Sequence, residues 1–535
     1  MTAEALEHDM QPGAAEPSAS DIKLVITASS LGTVFEWYDF FIYGTLAAIV
    51  GRTFFPSGNP TIELILSLLG FAIGFGFRPL GAVLFGYFGD KLGRKYTFLV
   101  TITLMGVATA AIGFVPSAAS IGLWAPAIVL LLRVVQGLAL GGEYGGAAIY
   151  VAEHAAPEKR GFYTSFIQAS VAGGFILSLA VVLTTQAIVG QEDWQAWGWR
   201  IPFIFSLLLL AISLWMRLKL SESPVFKAMK EAGEVARNPL KETFTYPGNG
   251  RRLFVALFGI AAGLTVIWYT AMFQVLYFLQ NALKVEEQTA QLLVGVGAAS
   301  GLFWFVLFGW LSDKVGRKKP IVIGYALTLL LLFPIFQMIG GAANPGLSEA
   351  SRRASIVVAG QDCGYDPFAK TQASACGRVL DQLSKLGVSY TTRPAPALAV
   401  IVGGEPLPDT RPATVEGALK AARYNLDRVR PDAGGIAVIL FGILALSALS
   451  GITYGPVAAL LSELFPPRIR YSSMSIPYHI GTGYFGGFLP VISQYIIART
   501  GDPYAGLWYT FAVVAMALVV TLFFLYEDPK TRAVA

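Results

Sequence analysis

Glu36, Asp39, Arg78 and Arg133 are among the ionisable residues inside apolar stretches of this 535-residue sequence, where a charge is costly and usually functional. Glu36 and Asp39 stand three residues apart in one stretch, so a helix places both carboxylates on one face, with Phe40 beside them. Arg78 and Arg133 belong to two other stretches. Burial and a nearby cation act on a carboxyl group in opposite directions, so a change in water access or bound substrate can load or release its proton. The pattern therefore predicts proton carriage.

Depth in the membrane favours two pairings among these charges. At a rise of 1.5 Å per residue, Asp39 and Arg133 lie roughly 17 and 14 Å from the outer ends of their helices, and Glu36 and Arg78 both lie at about 21 Å. We predict that Asp39 and Arg133 form the proton-coupling pair. Glu36 and Arg78 form a second charge pair that braces helices. A static structural pair is the alternative interpretation for Asp39 and Arg133.

A short basic motif occurs twice, at Gly86–Lys95 and at Gly309–Lys318, each time between two apolar runs. Its carboxylate can accept hydrogen bonds from a helix N-terminus, and its glycines allow a tight turn. Two copies at matching positions indicate an internal repeat of the kind found in transporters. The residues of this predicted motif are Gly86, Asp90, Arg94, Gly309, Asp313 and Arg317.

The composition identifies an integral membrane protein, because 55% of the residues are hydrophobic and only 14% are charged, against about a quarter charged in a soluble chain. The net charge of +5 is small and gives no reason to expect nucleic acid as a partner. Runs of about 20 apolar residues predict an all-α fold of twelve transmembrane helices in two six-helix bundles. The predicted spans are Leu24–Val50, Leu64–Phe88, Thr97–Val115, Trp124–Val151, Phe162–Val189, Arg200–Leu220, Leu253–Gln280, Gln291–Leu311, Pro320–Gly340, Gly434–Leu464, Ser472–Ile497 and Tyr504–Tyr526.

Lysine and arginine concentrate in alternate connections, which predicts that both termini lie in the cytoplasm and that the protein is a multi-pass protein of the inner cell membrane. The predicted domains are a disordered tail (1–22), the N-terminal bundle (23–220), a cytoplasmic linker (221–252), the C-terminal bundle (253–340 and 433–526), an extracytoplasmic insert (341–432) and a second tail (527–535). The insert, between helices 9 and 10, reads as a small folded cap with strand character over 388–404 and a helix over 413–429, although a disordered insertion is the alternative. The two cysteines of the chain, Cys363 and Cys376, both lie in the insert and predict a disulfide.

Polar and amphipathic side chains within the apolar runs are candidates for the wall of a substrate cavity. They are Tyr43, Gln136, Gln168, Trp268, Tyr269, Gln274, Tyr454 and His479. Aromatic residues are also common anchors at the membrane interface, and a lone histidine is more often structural. Glu143 lies among glycines near the cytoplasmic end of its run and is interpreted as a gate or helix contact, because glycines let helices pack closely.

Several motifs together resemble those of the major facilitator superfamily and, within it, the metabolite:proton symporter family. These are the doubled basic motif, Glu36–Gly44, Phe77–Gly81, Gln136–Gly146 and Glu222–Phe226. The resemblance implies two bundles around a central cavity, alternating access and proton-coupled uptake, with permeases for shikimate, 2-oxoglutarate, citrate and proline/betaine as relatives. By the same resemblance, Asp39 and Arg133 form the coupling pair, and the doubled motif is a cytoplasmic latch between helices of one bundle. Most members lack an insert like 341–432.

We therefore predict a proton-coupled symporter that imports a small organic acid or a zwitterionic metabolite. The expected partners are a small-molecule substrate carrying a carboxylate and the lipid bilayer, and the expected oligomeric state is a monomer. The coupling ion is the proton, and no cofactor, metal or catalytic residue is expected. Two alternatives stay open: a proton-antiport efflux pump for lipophilic compounds, and a transporter-like receptor whose outer cap binds a ligand. An enzyme is the least favoured class, because no phosphate loop, metal-ligand cluster or nucleophile arrangement occurs in the sequence.

Overall fold

A computed structural model describes residues 19–527 except 93, 142–147, 149–150, 153–154, 219–238, 368, 370 and 467–468. Within that range the side chains of 19–29, 86–98, 216–217, 239–240 and 471 are also left undescribed. The tails, the linker and Glu143 therefore fall wholly or mostly outside the described residues. The same holds for the side chains of Gly86, Asp90 and Arg94.

Helices occupy all twelve predicted positions, and we number these spans in chain order. Their bounds are Ala19–Thr45; Pro60–Gly76 with Arg78–Leu92; Arg94–Phe114; Trp124–Leu140; Arg160–Val189; Ile201–Leu218; Asn249–Ala282; Glu287–Val315; Lys318–Ala343; Ala433–Tyr454 with Val457–Leu464; Arg470–Thr500; and Leu507–Phe524. Short helices Ala47–Phe54, Ala118–Ile121, Gln191–Ala196 and Pro239–Thr245 join them. Within the described part of the chain, eight spans are long and apolar enough to cross a membrane, and the third and fourth are shorter apolar helices. The predicted helical membrane fold is confirmed.

Close helix packing in the N-terminal half depends on glycine. A Cβ placed on Gly137 of the fourth span would lie 1.9 Å from the carbonyl oxygen of Gly74 in the second span. Only residues without a side chain let two backbones approach so closely. This contact places Arg133 directly against the backbone of the second span.

Two spans of the C-terminal half depart from regular α-helix. The seventh span alternates between α-helical and π-helical turns, with π-turns at Val255–Ala261, Thr270–Gln274 and Phe278–Ala282. The eleventh span has one at Gly481–Gly487, between Arg470–Ile480 and Leu489–Thr500. π-turns are rare and occur frequently at functional sites. The turns Thr270–Gln274 and Gly481–Gly487 contact the N-terminal half, through Phe273 against Phe71 and Gly483 against Phe75.

The insert folds into a small α/β unit between the ninth and tenth spans, which we call the cap. Its strands are β1 (Ile356–Gly360), β2 (Thr391–Pro394), β3 (Ala399–Val402) and β4 (Glu405–Pro406), and its helices are Pro345–Arg353, Ala375–Leu386 and Pro412–Ala421. The sheet has the order β2-β1-β3-β4, with β1 parallel to β2 and antiparallel to β3. Cys363 and Cys376 form the predicted disulfide. The last helix ends earlier than expected, at Ala421, and the chain continues to the tenth span without further helix.

The ends of the spans form two faces of the molecule. We call the face that carries the cap the "cap face". The "basic face" is the opposite one, which carries Arg317 and Lys318 between the eighth and ninth spans.

Candidate functional site

Arg133 is fully buried and has a hydrogen-bond acceptor for each nitrogen of its guanidinium. Nη1 donates to Oε1 of Gln136 at 2.5 Å, while Nε and Nη2 donate at 3.4 Å to the backbone carbonyls of Gly70 and Phe71. The guanidinium carbon also lies 4.2 Å from the ring centroid of Phe40 and 4.6 Å from that of Tyr43. Cation–π contacts of this kind stabilise a buried cation. The cation of the fourth span is therefore held firmly in one position.

Asp39 and Glu36 line a small, partly open pocket between the first, third and sixth spans. Met105, Leu209 and Ser213 contribute to its wall. Both residues are almost completely buried, Asp39 at 5% and Glu36 at 8% exposed, and both line the same pocket, as the spacing of three leads one to expect. Oδ1 of Asp39 receives no hydrogen bond from any residue that the structure describes.

The direct contact expected between Asp39 and Arg133 is not formed in this structure. Successive residues of a helix are turned by about 100°, and here Phe40, not Asp39, faces Arg133. The prediction compared only the depths of the two residues in the membrane. Depth does not determine which side of the helix a residue faces, so it could not predict a contact between Asp39 and Arg133. Whether Asp39 and Arg133 act in proton coupling stays a prediction.

A chain of hydrogen bonds nevertheless connects the two residues. Nε2 of Gln136 donates to Oγ1 of Thr109 at 2.6 Å, and the Thr109 hydroxyl lies 3.4 Å from the backbone carbonyl of Asp39. Gln136 at the same time holds Arg133. The polar groups of the first, third and fourth spans are thus linked through Gln136 and Thr109. Gln136 was among the predicted cavity residues; Thr109 was missed, because a single threonine in an apolar helix carries no signal.

Arg78 lies between the two halves of the molecule and is also fully buried. Its guanidinium carbon is 5.0 Å from the ring centroid of Trp37 and 5.2 Å from that of Phe75. Nη1 is 3.5 Å from the hydroxyl of Thr482 in the eleventh span. No ion pair shorter than 4.0 Å joins it to Glu36 within the described residues, although Glu36 is near enough to interact with its charge. The expected brace between the two is therefore not a direct contact here.

Six aromatic rings join the first and second spans to the seventh, and we call them the aromatic cluster. They are Phe41, Phe71, Phe75, Trp268, Tyr269 and Phe273. Phe41 stacks on Trp268 at 5.1 Å between centroids, and Tyr277 donates to the carbonyl of Gly44 at 2.9 Å. The halves are in close contact at the centre of the molecule.

The remaining predicted cavity residues are buried around this cluster. The hydroxyls of Tyr454 and Tyr478 are 2.9 Å apart, and His479 follows directly, within range of the Arg78 charge. Gln274 accepts a hydrogen bond from Gln494 at 3.5 Å, and the Tyr43 hydroxyl has no partner among the described residues. Gln168 is buried in the fifth span. All eight candidates are thus buried side chains.

The second copy of the basic motif makes contacts that correct the expected latch. Asp313 accepts hydrogen bonds at 2.8 Å from the backbone N–H groups of Gly161 and Phe162, at the start of the fifth span. That span belongs to the N-terminal half, so Asp313 joins the two halves, while Arg317 of the same motif joins helices of one bundle through Glu463. The physical reason is the positive end of the fifth helix, whose free N–H groups attract a carboxylate.

A charge network that sequence reasoning missed extends this latch. Arg317 donates to Asp313 at 2.6 Å and to Glu463 of the tenth span at 3.1 Å, and Arg160 pairs with Glu463 at 3.4 Å. Glu463 follows an apolar run without any motif around it, so no pattern identified it. Gly309 lies at the crossing, where an added Cβ would come within 2.7 Å of the carbonyl oxygen of Gly161.

Comparison with known proteins agrees with this architecture. The family model described as "Sugar (and other) transporter" matches residues 24–254 and 421–530. The chain therefore belongs to this family of membrane transporters, and it is a transporter, not an enzyme. The match leaves out residues 255–420, which include the cap up to but not including the last residue of its final helix.

Curated relatives in bacteria carry transporter names. The inner membrane metabolite transport protein YhjE of Escherichia coli (strain K12) is 31% identical over 512 residues, covering 93% of each chain. The shikimate transporter of the same organism is 37% identical over 60% of this chain and 73% of its own length. The proline/betaine transporter of Salmonella typhimurium is 36% identical over 59% of this chain and 65% of its own.

Among solved structures, a D-xylose-proton symporter has the same fold. It matches 94% of this chain and 97% of its own, with a TM-score of 0.58 at 17% sequence identity. The two chains share the major facilitator fold, and at this identity the likeness extends no further than the fold.

Proposed function

We propose that the protein imports a small organic acid or zwitterionic metabolite together with protons, by alternating access between the two halves. One observation carries the proposal: the buried carboxylate of Asp39 lines a small pocket, and the backbone carbonyl of the same residue is linked through Thr109 and Gln136 to the buried cation Arg133. Ionisable groups in this position mark proton pathways in transporters. The names of the curated relatives, which transport shikimate, α-ketoglutarate, proline and betaine, support the same class of substrate.

In the proposed orientation the cap face is extracytoplasmic and both termini are cytoplasmic. The disulfide of the cap favours an oxidising compartment. The cations of the basic face favour the cytoplasm. A single chain supplies both halves of the pathway, so the proposed functional unit is a monomer. The proposed coupling ion is the proton.

The test uses the purified full-length protein in vesicles with a pH-sensitive dye inside. Shikimate, 2-oxoglutarate, proline and glycine betaine are added in turn without a pH gradient. Entry of one of them with protons acidifies the interior, and a protonophore abolishes its accumulation. Alkalinisation of the interior on entry of the compound identifies proton antiport, and no flux of any compound overturns the proposal.

Asp39→Asn tests the coupling residue, because the amide keeps the shape of the side chain and cannot carry the proton. We expect accumulation driven by a pH gradient to fall to the equilibrium ratio while exchange of labelled for unlabelled substrate continues. Glu192→Gln, at an exposed carboxylate of the same half, is the matched control and retains accumulation. Full accumulation by Asp39→Asn excludes Asp39 as the coupling site.

A further inference from the structure

The two buried arginines differ in how their donors are used. Each of the three nitrogens of Arg133 has an acceptor from its own half of the molecule. Among the described residues, only Nη1 of Arg78 has an acceptor, the Thr482 hydroxyl at the long distance of 3.5 Å. Nε and Nη2 of Arg78 make no hydrogen bond to any residue that the structure describes, although the side chain is fully buried.

Burying these two donors of Arg78 without acceptors costs free energy, unless a bound group accepts hydrogen bonds from them. A guanidinium has five N–H donors, and a buried charged donor without an acceptor carries a large desolvation penalty. The hydrogens on Nε and Nη2 lie along one edge of the guanidinium plane. That edge matches the two oxygens of a carboxylate and binds it through two parallel hydrogen bonds.

Side chains from both halves of the molecule surround Arg78. Trp37 and Phe75 of the N-terminal half contact its guanidinium plane. Thr482 reaches it from the C-terminal half, and the hydroxyls of Tyr454 and Tyr478 lie close enough to interact with its charge. A carboxylate held there would contact both halves at once.

We propose that the Nε/Nη2 edge of Arg78 binds the carboxylate of the transported substrate. Arg133, whose donors are already occupied, does not bind it. This inference rests on the proposed function and narrows it, since it makes the carboxylate the part of the substrate that is recognised. The body of the substrate packs against the aromatic cluster. The substrates named for the relatives differ in size and charge but share one carboxylate-bearing end, which fits a single recognition point.

The experiment measures binding to the full-length protein with shikimate, 2-oxoglutarate and glycine betaine, each compared with its methyl ester. The wild type binds at least one acid, with an affinity at least tenfold higher than for its ester. Arg78→Lys keeps the positive charge but cannot donate the two parallel hydrogen bonds of the Nε/Nη2 edge. We therefore expect the dissociation constant of the variant for the acid to rise tenfold or more. The ratio of affinities for acid and ester should fall accordingly. Arg52→Lys, at an exposed arginine of the same half, is the matched control and keeps the full preference for the acid.

The outcomes separate this inference from the proposed function. If the wild type neither binds nor transports any of the acids, the proposed function fails. If the wild type transports an acid and Arg78→Lys binds it as tightly as before, only the role of Arg78 is overturned. Should Arg78→Lys not fold, Thr482→Val replaces it: removing the hydroxyl that holds Nη1 narrows the preference for acid over ester severalfold, and an unchanged preference overturns the inference.

The cap carries a second, independent inference, because it touches the two halves in different ways. Toward the C-terminal half, Val429 and Lys284 pair through the backbone at 2.8 Å, and Arg428 forms an ion pair with Glu287 at 2.9 Å. The cap is also continuous at both ends with spans of that half. Toward the N-terminal half, Asn59 donates to Asp381 at 3.0 Å and to Tyr365 at 3.3 Å.

From this asymmetry we infer that the cap moves with the C-terminal half and that its contact with Asn59 is a latch of the cap face. The latch holds while the cap face is closed and breaks when it opens. Asn59 also caps its own helix, because its side-chain oxygen accepts a hydrogen bond from the backbone N–H of Thr61. This bond keeps the Asn59 side chain in place when the cap moves away. The disulfide fixes the loop that carries Tyr365.

Spin labels measure this motion, since the native cysteines are joined in a disulfide and do not react. One pair joins exposed Glu405 of the cap to exposed Ser120 of the N-terminal half; the other joins Glu405 to exposed Thr500 of the C-terminal half. Asn59→Ala is expected to increase the population of long Glu405–Ser120 distances and to leave Glu405–Thr500 unchanged. Arg411→Ala, which breaks an exposed pair within the cap, alters neither and is the control. An unchanged Glu405–Ser120 distribution, or an equal change in both pairs, overturns the inference.

Discussion

The two faces of the molecule are closed by different chemistry. On the basic face, the Asp313 carboxylate accepts two backbone hydrogen bonds from the other half, and Arg317, Glu463 and Arg160 continue the network. On the cap face one described hydrogen bond between the cap and the N-terminal half has a charged acceptor, from Asn59 to Asp381, and the others, to the Tyr365 hydroxyl and the Ser384 carbonyl, are neutral. Hydrogen bonds with a charge on donor or acceptor are roughly twice as strong as neutral ones. The comparison teaches that the basic face is the harder one to open.

The largest effect is expected for Asp313→Ala. Removal of the Asp313 carboxylate leaves the N–H groups of Gly161 and Phe162 without their acceptor and deprives Arg317 of one partner. The free energy of unfolding is expected to fall by about 2–4 kcal/mol. We expect a clear fall of the apparent unfolding temperature and loss of uptake into vesicles. Lys314→Gln, one residue along on an exposed position, is the control. Equal destabilisation by Asn59→Ala on the cap face would contradict the comparison.

A second large effect is expected for Gly309→Ala. The new methyl group would lie 2.6 Å from Cβ of Ser165 and 2.7 Å from the carbonyl oxygen of Gly161, so the fifth and eighth spans must separate. Overpacking of this kind costs about 1–3 kcal/mol, and we expect uptake to fall at least tenfold. Gly295→Ala on the same span meets its nearest neighbour, Leu179, at an ordinary 3.5 Å and should retain uptake. Similar losses in both variants would show that helix packing in general, not closure of this face, is affected.

A smaller effect is expected for Glu463→Gln, which keeps the shape of the side chain and removes its charge from Arg317 and Arg160. Asp313 still holds Arg317, so the loss is about 1–2 kcal/mol. Because the Arg160 side of the network is partly exposed, added salt should narrow the difference between variant and wild type. Unfolding temperatures at low and high salt check this, and a difference that grows with salt would argue against the network.

The smallest effect on transport is expected for the double variant Cys363→Ser, Cys376→Ser. Loss of the cross-link destabilises the cap by roughly 3 kcal/mol in the chain-entropy model, yet the twelve spans do not depend on it. We expect faster proteolysis of the cap and a modest change in uptake. Uptake as low as in Gly309→Ala would mean that the cap is needed for transport itself.

The sequence predicted most of what hydrophobicity and short motifs control. The positions of the helices followed from the apolar runs, eight of them long and apolar enough to cross a membrane within the described residues, and the disulfide followed from two cysteines in one insert. The contacts of Asp39 did not follow, because depth was counted along the helix while its rotation was unknown. Asp313 was found through its motif, but its partner is a pair of backbone N–H groups, which no residue type reveals. Thr109 and Glu463 lack any local signal.

The π-turns of the seventh span have a mechanical consequence. Each wide turn holds more residues than an α-turn, and residues beyond it are rotated relative to a regular helix. Conversion of one such turn to α-helix would rotate everything on one side of it by about 100° for each residue released. Trp268 and Tyr269 lie between the first and second π-turns, so a screw motion of this helix would swing both rings without bending the backbone.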